Sequence, residues 1–213
     1  MKVIVFIDVQ NDFVKGGALP YAYPEEPNHQ NIIKFAKECR MRGYQMFATV
    51  DTHERTVRER VGDPESKPIS GYLTTYEGNN LPIEHCIEGT EGHKIIEGLV
   101  KDEQKNIIIP QGHIVDKNTF GSFTLLYLIE KMVHAIKEPL DEILICGYCT
   151  SICVVSNALL LRANFPNTPI TVVSDLCGDV DEHSHLAALD VMKNCQVYST
   201  LSDDVFCLPE AVS

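Results

Sequence analysis

The chain has 213 residues, with 18 Lys plus Arg against 30 Asp plus Glu, a formal net charge of −12 and no tryptophan. At roughly 100–200 residues per domain this length implies one sizeable domain or two small ones, and 44% apolar with 23% charged residues excludes a disordered chain. The acidic balance argues against a nucleic-acid partner or an anionic membrane surface, and no apolar stretch approaches the roughly 18 residues of a membrane span.

In chain order, Val3–Ile7 is a short, β-branched, continuously apolar run, which predicts a strand buried on both faces. His29–Arg42 carries Ile32, Ile33, Phe35, Ala36 and Cys39 near helical spacing, with Gly43 where a helix stop belongs. Tyr44–Val50 reads as a second strand. The stretch 54–91 is polar, Gly- and Pro-containing and without period; a loop of that length is usually functional or mobile. Asn106–Ile109 makes a third apolar run, with His113–Val115 close behind. Ser122–Ile136 places Leu125, Leu126, Ile129, Met132 and Val133 on one helical face. Glu142–Cys146 reads as a strand, Thr150–Arg162 as a helix, Ile170–Ser174 as a strand, Glu182–Lys193 as a helix, and Gln196–Ser199 as the last strand.

Strands apolar throughout, alternating with amphipathic helices, predict an α/β fold with a parallel sheet covered on both faces. We read the chain as a single domain, 1–213, with a long pocket-lining loop at about 54–91. In such sheets ligands bind beyond the carboxyl ends of the strands. Asp8, Asp51, Lys117, the Gly147–Cys153 segment and Asp175 follow strands and are therefore the residues to read for chemistry. The eight cysteines are even in number, which four disulfides would explain. The N-terminal run carries no export signal, so the expectation is a cytoplasmic protein whose thiols stay reduced.

Asp8 follows an apolar strand, where a carboxylate serves either as a turn cap or as an active-site base. Asp51 and His53, two apart on a strand, point the same way. A carboxylate and an imidazole together suit Zn²⁺, Mn²⁺ or Fe²⁺, with further ligands available from Glu65, Glu77 or His85. In Gly147-Tyr-Cys-Thr-Ser-Ile-Cys153, glycine eases a tight turn and Cys153 falls in the first turn of a helix. There the free N–H groups and the dipole favour a thiolate, and with a nearby lysine they are expected to lower the thiol pKa. The same N–H groups suit a developing oxyanion. Cys146-x-x-Cys149 leaves a redox or metal use open.

Asp8-Val-Gln-Asn-Asp-Phe13 resembles the N-terminal signature of the isochorismatase-like cysteine hydrolases, which include nicotinamidases. Asp51-Thr-His53, His85-Cys-Ile-Glu-Gly-Thr90, Lys117 with Thr119–Phe123, and Cys146–Val154 resemble further motifs of that family, in its order and over nearly the whole chain. The resemblance implies a three-layer α-β-α fold with a six-stranded, mainly parallel sheet. It implies Cys153 as nucleophile, Asp8 as general base and acid, and Lys117 as electrostatic support. The oxyanion hole falls on the backbone N–H groups of Cys149 and Cys153, behind a cis Tyr148–Cys149 peptide. Phe13, Gln10 and Tyr148 are implied as substrate contacts. Asp51, His53 and His85 are implied as ligands of a divalent metal, zinc first and iron or manganese next, with Glu77 as an extra ligand. The implied partner is a small amide, in a homo-oligomer. A cysteine nucleophile separates the chain from true isochorismatases, which cleave a vinyl ether. Ser151 stands where the family often has Asp, and Leu81-Pro-Ile-Glu84 replaces its usual aromatic residues. Nicotinamide is the leading substrate; the alternatives are another carbamoyl or ureido amide, or a non-catalytic or redox protein of the same fold.

Overall fold

The structure, a computed structural model, describes residues 1–25, 28–54 and 71–207. Among these, six strands form one sheet: β1 (Lys2–Ile7), β2 (Gln45–Asp51), β3 (Ile114–Lys117), β4 (Glu142–Tyr148), β5 (Ile170–Gly178) and β6 (Tyr198–Thr200). Their order is β3-β2-β1-β4-β5-β6 and every pairing is parallel. Val3, Ile4, Val5 and Ile7 of β1 are fully buried, as a central strand covered on both faces requires.

Five α-helices join the strands: α1 (His29–Met41), α2 (Tyr76–Asn80), α3 (Phe123–Ile136), α4 (Val155–Asn164) and α5 (Glu182–Asn194). Right-handed crossovers put α1 on one face of the sheet and α4 and α5 on the other, giving three layers. Ser122 caps α3 by accepting the Leu125 N–H at 3.2 Å, and Asp181 caps α5 by accepting that of Ser184 at 2.7 Å.

Two expectations need correcting. Asn106–Ile109 is not the third strand. Ile107 makes only an isolated antiparallel bridge to Lys101, and the strand is the equally short but less apolar Ile114–Lys117 paired to β2. The helix expected over Thr150–Arg162 opens as a π-helical turn, Thr150–Val154, before α4 begins. The Cys149 carbonyl accepts both the Ile152 and the Val154 N–H, at 3.1 and 3.0 Å, which widens that turn.

The strand order reverses between β1 and β4. Asp8 leaves the first and the Cys149–Cys153 turn leaves the second, so both sit at the switch point where this class of sheet opens a crevice.

Candidate active site

At the floor of the crevice, Asp8, Lys117 and Cys153 converge from three strand ends. Lys117 Nζ lies 2.6 Å from Asp8 Oδ2 and donates to Cys153 Sγ at 3.5 Å. Thr49 Oγ1 donates to Asp8 Oδ1 at 2.6 Å. Asp8 is not a cap: it takes a left-handed backbone (φ 50°), a conformation costing a non-glycine residue about 1 kcal/mol. That turn carries its carboxylate onto Lys117 instead of along β1.

Burial sets the electrostatics. It pushes the Asp8 carboxyl up, the charge of Asp51 adds to the rise, and Lys117 offsets it only in part. Burial opposes the charge on Lys117, but Asp8, Cys153 and Asp51 outweigh it and hold the ammonium protonated. The Cys153 thiol is driven well up, first by burial and next by Asp8, against the pull of Lys117. This reverses the lowering expected from a helix N-terminus and a lysine. Burial and a facing carboxylate exceed both, which favours the thiol over the thiolate.

The turn that carries the thiol is braced at each step. Gly147 (φ 130°) pairs with Ile7 in register, and any Cβ at this position would collide with the Ile7 carbonyl oxygen. The Tyr148–Cys149 peptide is cis. Gly147→Ala is expected to destabilise the fold by more than about 2 kcal/mol, measured by urea denaturation, because backbone on both sides must move.

Beside this group, Asp51, His53 and His85 place one ligand atom each within 4.8 Å of the others, all three buried. His53 Nε2 lies 3.0 Å from Asp51 Oδ2, and His85 Nε2 lies 3.5 Å from it. Glu77 Oε1, from α2, is 4.0 Å from the first imidazole and 3.8 Å from the second. The Ile83 carbonyl, which can only accept, is 2.8 Å from His85 Nδ1, so that nitrogen carries a proton and the ring is turned with Nε2 toward Asp51. His53 Nε2 is buried with no properly directed hydrogen bond. These N and O donors can hold a divalent ion. Burial alone would raise the Asp51 carboxyl, but the two imidazoles and Lys117, 3.7 Å away, hold it well below the usual range. Glu65, the remaining acidic candidate, lies outside the described residues.

Above both groups is a cavity of about 990 Å³, lined by Phe13, Asp51, His53, Glu77, His85, Cys149 and Cys153 among others. Of the segment 54–91 the structure describes Glu54 and 71–91, and Tyr72, Tyr76 and Leu81 line the same cavity. Two expected substrate contacts face elsewhere. Gln10 is fully buried: its Nε2 donates to the Asp51 and His93 carbonyls, and its Oε1 accepts the Asp51 N–H, all at 2.8 Å. Tyr148 stacks on Tyr21 at 4.6 Å and donates its hydroxyl to Asn28 Oδ1 at 2.7 Å. Both hold the scaffold, and neither lines the cavity. Asp175 is exposed within β5 and accepts from Ser202, far from the group.

Redox use of Cys146-x-x-Cys149 fits poorly. Cys146 is fully buried in β4 and its thiol is driven well up by burial, while the Cys149 thiol is pushed up to about 12. All eight cysteines are free. Sequence reasoning missed Thr49, Asn157 and Asp179. Asn157 accepts the Ser122 N–H at 3.0 Å and donates to the Cys153 carbonyl at 2.8 Å. These are ordinary core and turn residues by type, and only their partners mark them.

Fold and site define a class: a three-layer α/β protein with carboxylate, lysine and thiol gathered at the switch point, beside an Asp-His-His cluster that could hold a metal ion. The chain belongs to the isochorismatase family, whose isochorismatase-domain model matches residues 2–204. It is 26% identical over 199 residues to a probable inactive nicotinamidase of Arabidopsis thaliana, covering 91% of this chain and 89% of that one. It is 24% identical over 175 residues to a nicotinamidase of Saccharomyces cerevisiae, covering 75% and 80%. In fold it is similar to a nicotinamidase/pyrazinamidase from Bacillus subtilis, with a TM-score of 0.69, 21% identity, and 93% and 98% of the two chains covered. It is also similar to a pyrazinamidase of Pyrococcus horikoshii in complex with zinc, with a TM-score of 0.62, 19% identity, and 94% and 98% covered. No helix among the described residues is long and apolar enough to cross a membrane.

Proposed function

We propose that the chain hydrolyses a small primary amide to a carboxylate and ammonia through a thioester on Cys153, with nicotinamide the first substrate to test. The observation that carries this reading is Lys117 Nζ set 2.6 Å from Asp8 and 3.5 Å from the Cys153 sulfur, beneath a cavity that reaches the thiol. Asp8 takes the thiol proton, and Lys117 stabilises the thiolate as it forms. Sulfur attacks the amide carbonyl, and the developing oxyanion accepts from the Cys149 and Cys153 N–H groups. The bonds from the Ile152 and Val154 N–H groups to the Cys149 carbonyl, which fix the turn between Cys149 and Cys153, support this reading. Asp8 returns its proton to the leaving nitrogen and ammonia departs. Water, deprotonated by Asp8, then cleaves the thioester and restores the thiol.

In this reading Asp51, His53 and His85, with Glu77, hold a divalent metal, zinc before iron or manganese. When bound it supplies a fixed Lewis acid for the ring nitrogen or for a water. We expect stoichiometric metal in the purified protein by elemental analysis, lost in His53→Ala. Glu77→Gln should weaken retention against a chelator by about tenfold. Protein free of metal under every preparation would remove the metal from this account. Phe13, whose ring lies 5.6 Å from that of His85, is the aromatic wall on which a flat ring would rest. The test of the whole reading is ammonia release from nicotinamide and its loss in Cys153→Ala.

A further inference from the structure

The structure assigns Asp179 as a positioning residue that sets the cysteine-bearing turn, an inference resting on the reading of Cys153 as the nucleophile. Asp179 is fully buried just past β5. Its Oδ2 accepts the Ser151 N–H at 2.7 Å, and its Oδ1 accepts the Ser151 hydroxyl and the Val180 N–H, both at 2.8 Å. A buried carboxylate satisfied by three donors is strongly held, and each such bond to an ionised acceptor is stronger than a neutral one. Ser151 is the second residue of the π-helical turn Thr150–Val154, two before Cys153. Thr150, just before it, lies 2.9 Å from His185 Nδ1 and donates to the Gly178 carbonyl at 3.2 Å. The N–H groups of Ile152 and Val154 are tied to the Cys149 carbonyl. Every N–H that flanks Cys153 is therefore engaged, and the one at Ser151 is the one held by a side chain from another element. Loosening it shifts the thiol and its own N–H relative to Asp8 and Lys117.

The backbone of Asp179 does a separate job. Its carbonyl accepts the Ala22 and Tyr23 N–H groups at 2.9 and 3.0 Å, and its N–H donates to the Tyr23 carbonyl at 2.7 Å. That bridge anchors the segment whose Leu19, Pro20 and Tyr21 line the cavity. A side-chain substitution leaves these backbone bonds in place. The cavity wall, and with it substrate binding, should survive a change that disturbs the turn.

The experiment measures ammonia release per folded protein in the wild type, Asp179→Asn, Asp179→Ala and Ser151→Ala. The rate of Cys153 alkylation by iodoacetamide is followed alongside, read at that cysteine by peptide mass spectrometry. Asparagine cannot accept all three donors, so kcat should fall about tenfold in Asp179→Asn and about a hundredfold in Asp179→Ala, with KM within about threefold of wild type. Ser151→Ala loses only the hydroxyl bond and should fall about threefold. Cys153 is 7% exposed, and its alkylation should rise at least about threefold in Asp179→Asn as the turn loosens. A folded Asp179→Asn with kcat within twofold of wild type and unchanged alkylation would overturn the assignment, as would a rise in KM at constant kcat. Should the wild type release no ammonia from any amide, the functional reading fails, and alkylation alone decides the positioning role. Should Asp179→Ala not fold, Asp179→Asn and Ser151→Ala carry the test.

Discussion

Cys153→Ala should abolish ammonia release, a loss of about 10⁴-fold or more, while leaving the fold intact. In the proposed mechanism the Cys153 sulfur alone carries the acyl group, so no residual pathway should share its step. The structural effect is small by comparison. Cys153 packs as a small apolar side chain, and removing one sulfur from its site should cost about 1 kcal/mol or less. Lys117 keeps Asp8 as its partner in the variant. Steady-state ammonia release and urea denaturation, run on the same preparation, separate the two effects. Retention of even a tenth of wild-type activity would show that the nucleophile lies elsewhere.

Lys117→Ala should act on both axes. Lys117 is the cation that faces two buried carboxylates, Asp8 at 2.6 Å and Asp51 at 3.7 Å. Removing one partner of a buried ion pair typically costs about 3–5 kcal/mol, because the other is left charged and desolvated. Urea denaturation should register a loss of that order, and kcat should fall at least about a hundredfold, since the forming thiolate loses its counter-charge. The double variant Asp8→Asn with Lys117→Met removes both charges together. It should recover most of the stability and none of the activity. A loss below about 1 kcal/mol in Lys117→Ala would mean that the pair is solvated and does not tune the cluster.

Much of the fold was legible because parallel strands buried on two faces read as unbroken apolar runs, as Val3–Ile7 does. The third strand was the exception, and its position explains why. β3 lies at the sheet edge and alternates between buried and exposed residues, with Asp116 facing out, so pattern alone left Asn106–Ile109 and His113–Val115 side by side as apolar runs. An apolar run is a strand only where a neighbour offers a ladder, and that information lies in the topology. Reading the residues just beyond each strand located Asp8, Asp51, Lys117 and the 147–153 turn. The same reading chose Asp175 in error. β5 shifts register against β4 between Ile145 and Gly147 and runs on to Gly178, so the acid that reaches the turn is Asp179. Gln10 and Tyr148 show a different limit. A sequence cannot tell a polar side chain that grips neighbouring backbone from one that faces a ligand. The direction of the Cys153 shift was likewise out of reach, because it depends on how completely the thiol is buried and on which charge is nearest.

In the proposed mechanism the Cys153 thiol, the Asp8 carboxylate and the Lys117 ammonium, 2.6 Å from Asp8 and 3.5 Å from the sulfur, act together on the amide carbonyl. The most direct measurement is ammonia release by the reduced, metal-supplemented protein over a panel of small primary amides, with nicotinamide first. The account predicts ammonia from nicotinamide with an equimolar yield of the carboxylate. No ammonia from any amide of the panel, with Cys153 shown to be unmodified, would contradict it.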